Sequence, residues 1–231
     1  MSSRVRYSLI ALSALGLIAA SAALYVHYRM LTEPGYSSFC DVSETVSCQQ
    51  VFQSEYGSVA GIPVAAGGAI WAALVLLLSV WGMRAPRSEE ASRAAGYVFL
   101  LSTAGLAAVF YFAYASFFVL RQACPLCITM YVSVIGIFLI SAGAAASLRA
   151  LPSGFAKDLS ALKGSPTAAG LALIWVIASA GLVLAFPREQ PISEAAAAAP
   201  APEVPVETLA PEQLTELHAW LDRQPTVPEA M

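Results

Sequence analysis

Cys124 and Cys127 stand three residues apart in the run Cys124-Pro125-Leu126-Cys127, and two further cysteines, Cys40 and Cys48, lie far upstream. A thiolate attacks a disulfide sulfur, so paired cysteines can open and close and pass two electrons at each exchange. The Cys-X-X-Cys pair opens a long apolar run. Proline suits the first helical position, where its missing amide hydrogen would have no helical partner, and this makes Cys124 the N-cap of a helix starting at Pro125. Unpaired amides and the helix dipole favour a thiolate there. Cys127 follows one turn deeper on the same face. Cys124, nearer water, is placed to exchange with a protein thiol, whereas Cys127 can meet an acceptor dissolved in lipid. Tyr131, four residues beyond Cys127, extends the stripe with a hydroxyl that can donate to a carbonyl.

Two other chemistries use the same residue types. Cys40 and Cys48 could join the Cys-X-X-Cys pair in a four-thiolate metal site, but seven residues separate them, where zinc knuckles space both pairs closely. Inert stabilising disulfides, in a membrane scaffold, are the other alternative; they give no reason for a pair poised at a helix start. Around the upstream cysteines, Ser47 is a candidate cap for a half-helix from Cys48 to about Tyr56, with Val51, Phe52 and Tyr56 on one face resting on the mouth of a bundle. Ser54 is either a polar group in an acceptor pocket or a solvent-facing hydroxyl. Gly57 and Gly61-Ile62-Pro63 read as the elbows that return the chain to the next span. The aromatic run Phe110, Tyr111, Phe112 and Tyr114 reads as lipid-facing packing.

The elements that must position these residues are membrane helices. The chain is 58% hydrophobic and only 12% charged over 231 residues, with a mean hydropathy of +0.68. A spanning helix needs about 20 apolar residues to cross roughly 30 Å of hydrocarbon. Five stretches qualify: Tyr7 to Tyr28, Val64 to Gly82, Ala95 to Leu120, Pro125 to Leu148 and Thr167 to Phe186. The first follows Arg4 and Arg6 and carries small residues from Ala20 to Ala23, as a cleaved signal peptide would. Its apolar run outlasts the roughly 7–15 residues of a signal core, and Tyr25 to Tyr28 reads as an interfacial anchor, so it is taken as a span.

Lysine and arginine accumulate on the cytoplasmic side. An N-terminus inside places eight of them there (Arg4, Arg6, Arg84, Arg87, Arg93, Arg149, Lys157, Lys163) and four outside (Arg29, Arg121, Arg188, Arg223). That orientation puts the loop from Arg29 to Pro63 and the turn between spans three and four outside, and with them all four cysteines. An oxidising compartment is then open to each. No basic patch suggests nucleic acid. Residues 187–211, rich in Ala, Pro and Glu, read as an extracytoplasmic tether, and Leu214, Leu217 and Leu221 suggest a short amphipathic helix.

At these residues the chain resembles the vitamin K epoxide reductase family and its bacterial disulfide-forming members. The likeness covers roughly Ser8 to Leu148. It rests on Cys40 and Cys48 in the loop, Ser54 downstream, Gly61-Ile62-Pro63 before span two, and Cys124-Pro125-Leu126-Cys127 with Tyr131 four residues on. The resemblance implies an all-α membrane protein: a four-helix transmembrane bundle around a quinone, capped by the half-helix, with a fifth transmembrane helix appended. On that pattern Cys127 reacts at the quinone, ubiquinone or menaquinone. Cys124 forms a transient disulfide with Cys48, and Cys40 with Cys48 brings electrons from a thioredoxin-like partner. Ser54, Tyr131 and Phe52 line the quinone site, and no metal is implied.

The implied organisation is a catalytic bundle over residues 1–148 with its loop at 29–63, a cytoplasmic loop and fifth span over 149–186, and the tether over 187–231. The resemblance also implies a multi-pass protein of the bacterial inner membrane that supports disulfide formation in secreted proteins. Two departures bear on this. Vertebrate members use an asparagine near the naphthoquinone, and this sequence contains none, so the pattern implies quinone rather than epoxide reduction. Many bacterial members carry a thioredoxin-like domain after the fifth span, where this chain has the tether. The partner is therefore expected in trans or as a C-terminal domain missing from this chain. An unrelated bacterial quinone-linked disulfide generator also has four external cysteines, but its Cys-X-X-Cys comes early in the chain.

Overall fold

The computed structural model describes residues 3–33, 36–84, 88–144 and 164–187, with single positions at 148, 151, 155, 158 and 160. The expected tether and amphipathic helix, and most of the loop before the fifth span, lie outside the described residues. The elements are α1 (Ser3–Thr32), α2 (Cys48–Phe52), β1 (Ser58–Val59), β2 (Ile62–Pro63), α3 (Val64–Arg84), α4 (Ser88–Tyr114), a π-helical turn (Ala115–Val119), α5 (Pro125–Ser141) and α6 (Pro166–Ala185). Among the described residues, five helices are long and apolar enough to cross a membrane.

The four-helix bundle packs α1 against α3 and α5, and α4 against the same two helices. Lipid offers no hydrophobic drive between helices, so close approach and internal hydrogen bonds hold such a bundle. At Gly136 of α5 an added Cβ would lie 2.9 Å from a Leu12 methyl of α1, so glycine permits that crossing. Buried hydroxyls turn back onto their own helices: Ser13 donates to the Leu9 carbonyl at 2.7 Å and Ser79 to that of Val75 at 2.8 Å. Ser102 and Ser141 meet between α4 and α5 at 3.2 Å. Leu9, Val75, Val98 and Ile137 close the core at one end, and the cysteines form the other.

The fifth span, α6, buries none of its residues. It touches the bundle along α3, where the Trp175 indole donates to the Ile70 carbonyl at 3.2 Å. Phe110, Tyr111 and Tyr114 are exposed on the outer face of α4, as a lipid-facing run requires. The helix at the end of α4 loosens into the π-helical turn, closed by the Leu120 amide on the Ala115 carbonyl at 2.8 Å. This ends the regular helix six residues before the expected Leu120 and prepares the turn that carries Cys124.

The half-helix is shorter than expected. α2 stops at Phe52 instead of near Tyr56, because the Ser54 hydroxyl donates to the Val51 carbonyl at 2.7 Å and accepts the Tyr56 amide at 3.2 Å, turning the chain away. Gly57 follows where a Cβ would collide with the Phe52 carbonyl, so only glycine fits. Ala60 and Gly61, with φ of 53° and 75°, make the two-residue turn of the β1–β2 hairpin that delivers Pro63 to α3.

Candidate active site

Three segments from distant parts of the sequence meet at the cysteine end of the bundle. The first is the turn before α5. Pro125 occupies the first helical turn and Cys124 is the N-cap, its sulfur accepting the Cys127 amide at 3.3 Å. The thiol of Cys124 is held below its ordinary value, first by the hydrogen bond from the Cys127 thiol and then by the backbone amides of Cys127 and Leu126. Burial and the charge of Asp41 work in the opposite direction.

The second segment is α2 with the loop before it. Ser47 is the N-cap and its hydroxyl accepts the Gln50 amide at 3.1 Å. Asp41 reinforces that helix start: one carboxylate oxygen takes the Ser47 hydroxyl at 2.6 Å and the Gln49 amide at 3.0 Å, and the other takes the Ser38 amide at 3.1 Å. A carboxylate at a helix N-terminus is stabilised by the free amides it meets. The result draws Cys40 beside Cys48, their Cα atoms 5.7 Å apart and their sulfurs joined as a disulfide. Cys124 and Cys127 are free thiols.

The two segments are sewn together by backbone. Val46 bridges Ala123 in parallel, with the Ala123 amide on the Thr45 carbonyl at 2.9 Å. The Gln122 side chain donates to the Glu44 carbonyl at 2.8 Å, and the Ser116 hydroxyl holds the Gln122 carbonyl at 2.6 Å. The bridge lies two residues before Cys48 and one before Cys124. It sets the Cys124 sulfur 3.5 Å from the Cys48 sulfur, both fully buried. A thiol at that distance from one sulfur of a disulfide is placed to attack it.

The third segment is the upper part of α1. Ala23 and Val26 pack with Cys40, Cys48, Val51, Phe52 and Cys124 in one buried cluster, with Met30, Tyr36, Ala65, Leu126 and Cys127 around it. His27 of α1 is buried, its ring 5.8 Å from that of Phe52 and 6.0 Å from that of Phe186 beyond α6. Arg29 pairs with Glu33 and lies over the rings of Tyr25 at 5.6 Å and Tyr36 at 5.1 Å, which occupies one of the few basic residues at this end.

The residues expected at the site from sequence fall into two groups. The four cysteines, with Phe52, belong to the same cluster. Tyr131 lies one turn beyond Cys127 on α5, half-buried, while the Ser54 hydroxyl is engaged in the turn after α2. Cys127 packs against the buried cluster, and Tyr131 follows it on the same helix with its phenol half-buried. Among the described residues no group of three or more His, Cys, Asp or Glu is arranged to hold a metal ion. Sequence reasoning missed Asp41, Ser38 and His27. An aspartate directly after Cys40 and six residues before a serine N-cap was the available signal for the first; nothing local marked the other two.

The sequence profile of the vitamin K epoxide reductase family matches residues 7–142. The vitamin K epoxide reductase complex subunit 1 of Mus musculus is 31% identical over 145 residues, covering 57% of this chain and 85% of that protein. The matched region contains the bundle, the capping half-helix and all four cysteines. This chain is thus a member of the vitamin K epoxide reductase family, a multi-pass membrane oxidoreductase of a quinone-using lineage.

Proposed function

We propose that this protein takes two electrons from a thioredoxin-like partner and passes them through its cysteines to ubiquinone or menaquinone, so that disulfide bonds are made in secreted proteins. The observation that carries the reading is the 3.5 Å approach of the Cys124 sulfur to the Cys48 sulfur, with the Cys127 amide on that same Cys124 sulfur. A partner thiolate attacks Cys40, and Cys48 leaves as thiolate. Cys48 attacks Cys124 of an oxidised Cys124–Cys127 pair, and Cys127 leaves. The partner's second thiol frees Cys40, and Cys40 closes on Cys48 and releases Cys124.

That last arrangement, a Cys40–Cys48 disulfide beside two free thiols, is the state seen here. Cys124 and Cys127 then join, giving up two electrons and two protons. A quinone supplies the oxidising power that the step needs; Cys127 meets it and Tyr131 donates to a carbonyl. About 30 mV in a two-electron couple is roughly 1.4 kcal/mol, so even a modest difference in potential sets the direction. The mouse relative is named for an epoxide. Without an asparagine, this chain is assigned quinone reduction instead.

The orientation supporting this reading has the cysteines outside and the N-terminus in the cytoplasm of a bacterium, since Arg4, Arg6, Arg84 and Arg93 gather at the opposite end of the bundle. The deciding experiment is anaerobic addition of dithiothreitol to the purified protein with either quinone, following quinone absorbance in wild type and in Cys127→Ala. Consumption by wild type alone is expected. Equal rates in the two, or no consumption by protein whose thiols titrate fully, would sink the proposal and favour a scaffold with structural disulfides.

A further inference from the structure

We propose that Ser38 is a catalytic hydrogen-bond donor to the Cys40 sulfur, stabilising the Cys40 thiolate whenever Cys40 is the leaving group, released by the partner's second thiol or by attack of Cys124 on Cys48. The inference rests on the exchange pathway described above. The Ser38 oxygen lies 3.0 Å from the Cys40 sulfur and is buried with it. In the disulfide that sulfur has no hydrogen, so the hydroxyl must be the donor. The serine oxygen also accepts the Cys40 amide at 3.3 Å, which uses one of its two lone pairs and leaves its hydrogen for the sulfur.

Ser38 is itself held at both ends. Its amide donates to Asp41 and its carbonyl accepts the Asp41 amide at 3.1 Å, so its side chain is aimed before any thiolate forms. The other ionisable groups around Cys40 are Asp41 in its own loop, Tyr36 beneath Arg29, His27 of α1 against Phe52, and the thiols Cys48, Cys124 and Cys127. The Asp41 charge opposes a second negative charge next to it. A donor on the Cys40 sulfur offsets that repulsion.

The chemistry is one thiol–disulfide exchange. When the Cys124 thiolate attacks Cys48, the Cys48–Cys124 bond forms, the Cys40–Cys48 bond breaks, and the electron pair leaves on Cys40, where the Ser38 hydroxyl receives it as a hydrogen bond. In the opposite direction the same bond holds the Cys40 thiolate as the nucleophile that closes on Cys48. No other reactant is required.

The test needs no quinone, so its outcome is separate from that of the quinone assay. Fully reduced full-length protein is alkylated with iodoacetamide across a pH range, and each cysteine peptide is resolved by mass spectrometry. Cys40 in wild type is expected to react with a midpoint below the ordinary thiol value of about 8.5. In Ser38→Ala the midpoint should rise by about one pH unit, the scale of a hydrogen bond to a charged group. That of Cys124 should stay in place, and Ser38→Thr should keep the wild-type value for Cys40. A wild-type Cys40 midpoint at or above about 8.5 overturns the proposal without any variant. So does a Ser38→Ala profile that matches wild type, or one that moves Cys124 as far as Cys40.

Discussion

At the residue scale the four cysteines divide into an inner and an outer pair, and the division is testable by donor. Alanine at Cys124 or Cys127 should abolish quinone reduction by any donor. Cys40→Ala should lose turnover with a protein dithiol far more than with dithiothreitol, because a small dithiol can reach the inner pair directly. Steady-state quinone absorbance with the two donors checks this. Protonation adds a second expectation. Cys124 is held below its ordinary value chiefly by the Cys127 thiol. Its alkylation should therefore persist below the pH at which a free thiol reacts and fall off as acid protonates it. Removing the donor in Cys127→Ala should move that profile to higher pH, read by peptide-resolved alkylation.

The sequence disclosed unequal amounts about these residues. Cys124 as an N-cap was legible because the reason is local: a proline one position on and an apolar run behind it. Ser47 was legible on a weaker local ground, a serine at the start of a short half-helix, where its hydroxyl can accept an amide of the first turn. Ser54 was not, because whether its hydroxyl faces a pocket or closes a turn depends on where the chain goes next. In the fold the hydroxyl bonds to the Val51 carbonyl and the Tyr56 amide.

At the element scale the site depends on a short backbone bridge between two connections. Gln122→Ala removes the side-chain bond to Glu44 that backs the Val46–Ala123 pairing. Formation of the Cys48–Cys124 mixed disulfide, trapped by rapid alkylation and gel shift, should slow several-fold, while alkylation of Cys124 alone should change little. The elbow after α2 is a second dependence. Gly57→Ala would drive a methyl into the Phe52 carbonyl. Since the backbone must shift to make room, a loss of about 1–3 kcal/mol is expected, measured as a lowered thermal midpoint in detergent. The π-helical turn at the end of α4, which hands the chain to Ser116 and Gln122, had no sequence signature. It forms because the Gln122 carbonyl and amide are both claimed by Ser116.

At the scale of the whole molecule, the cysteine cluster lies at one end of the bundle and, among the described residues, Arg4, Arg6, Arg84 and Arg93 lie at the other. An impermeant maleimide added to intact spheroplasts should therefore label Cys40 after reduction, but should not label a cysteine introduced as Arg84→Cys until the membrane is opened. Labelling of Arg84→Cys in intact spheroplasts, with Cys40 labelled only once the membrane is opened, would reverse the orientation. The fifth span stands apart, with one indole donor on α3 and no buried residue. At its far end the Phe186 ring lies 6.0 Å from that of His27 and 6.1 Å from that of Tyr28 on α1.

Much of this was written along the chain. Hydrophobic length alone marks a span, because the bilayer is a solvent of fixed thickness, and each of the five stretches read from sequence overlaps a helix. The Cys-X-X-Cys at a helix start is likewise a local arrangement, set by proline geometry and the period of 3.6 residues. Only the tertiary structure decided that Cys124 would lie against Cys48 from 76 residues away, that Asp41 would knit the outer disulfide to the start of α2, and that Ser38 would face the Cys40 sulfur. Those contacts depend on where two connections between helices meet in space. The bridge from Val46 to Ala123 is made of peptide groups that every residue but proline possesses, so no pattern of side chains announces it.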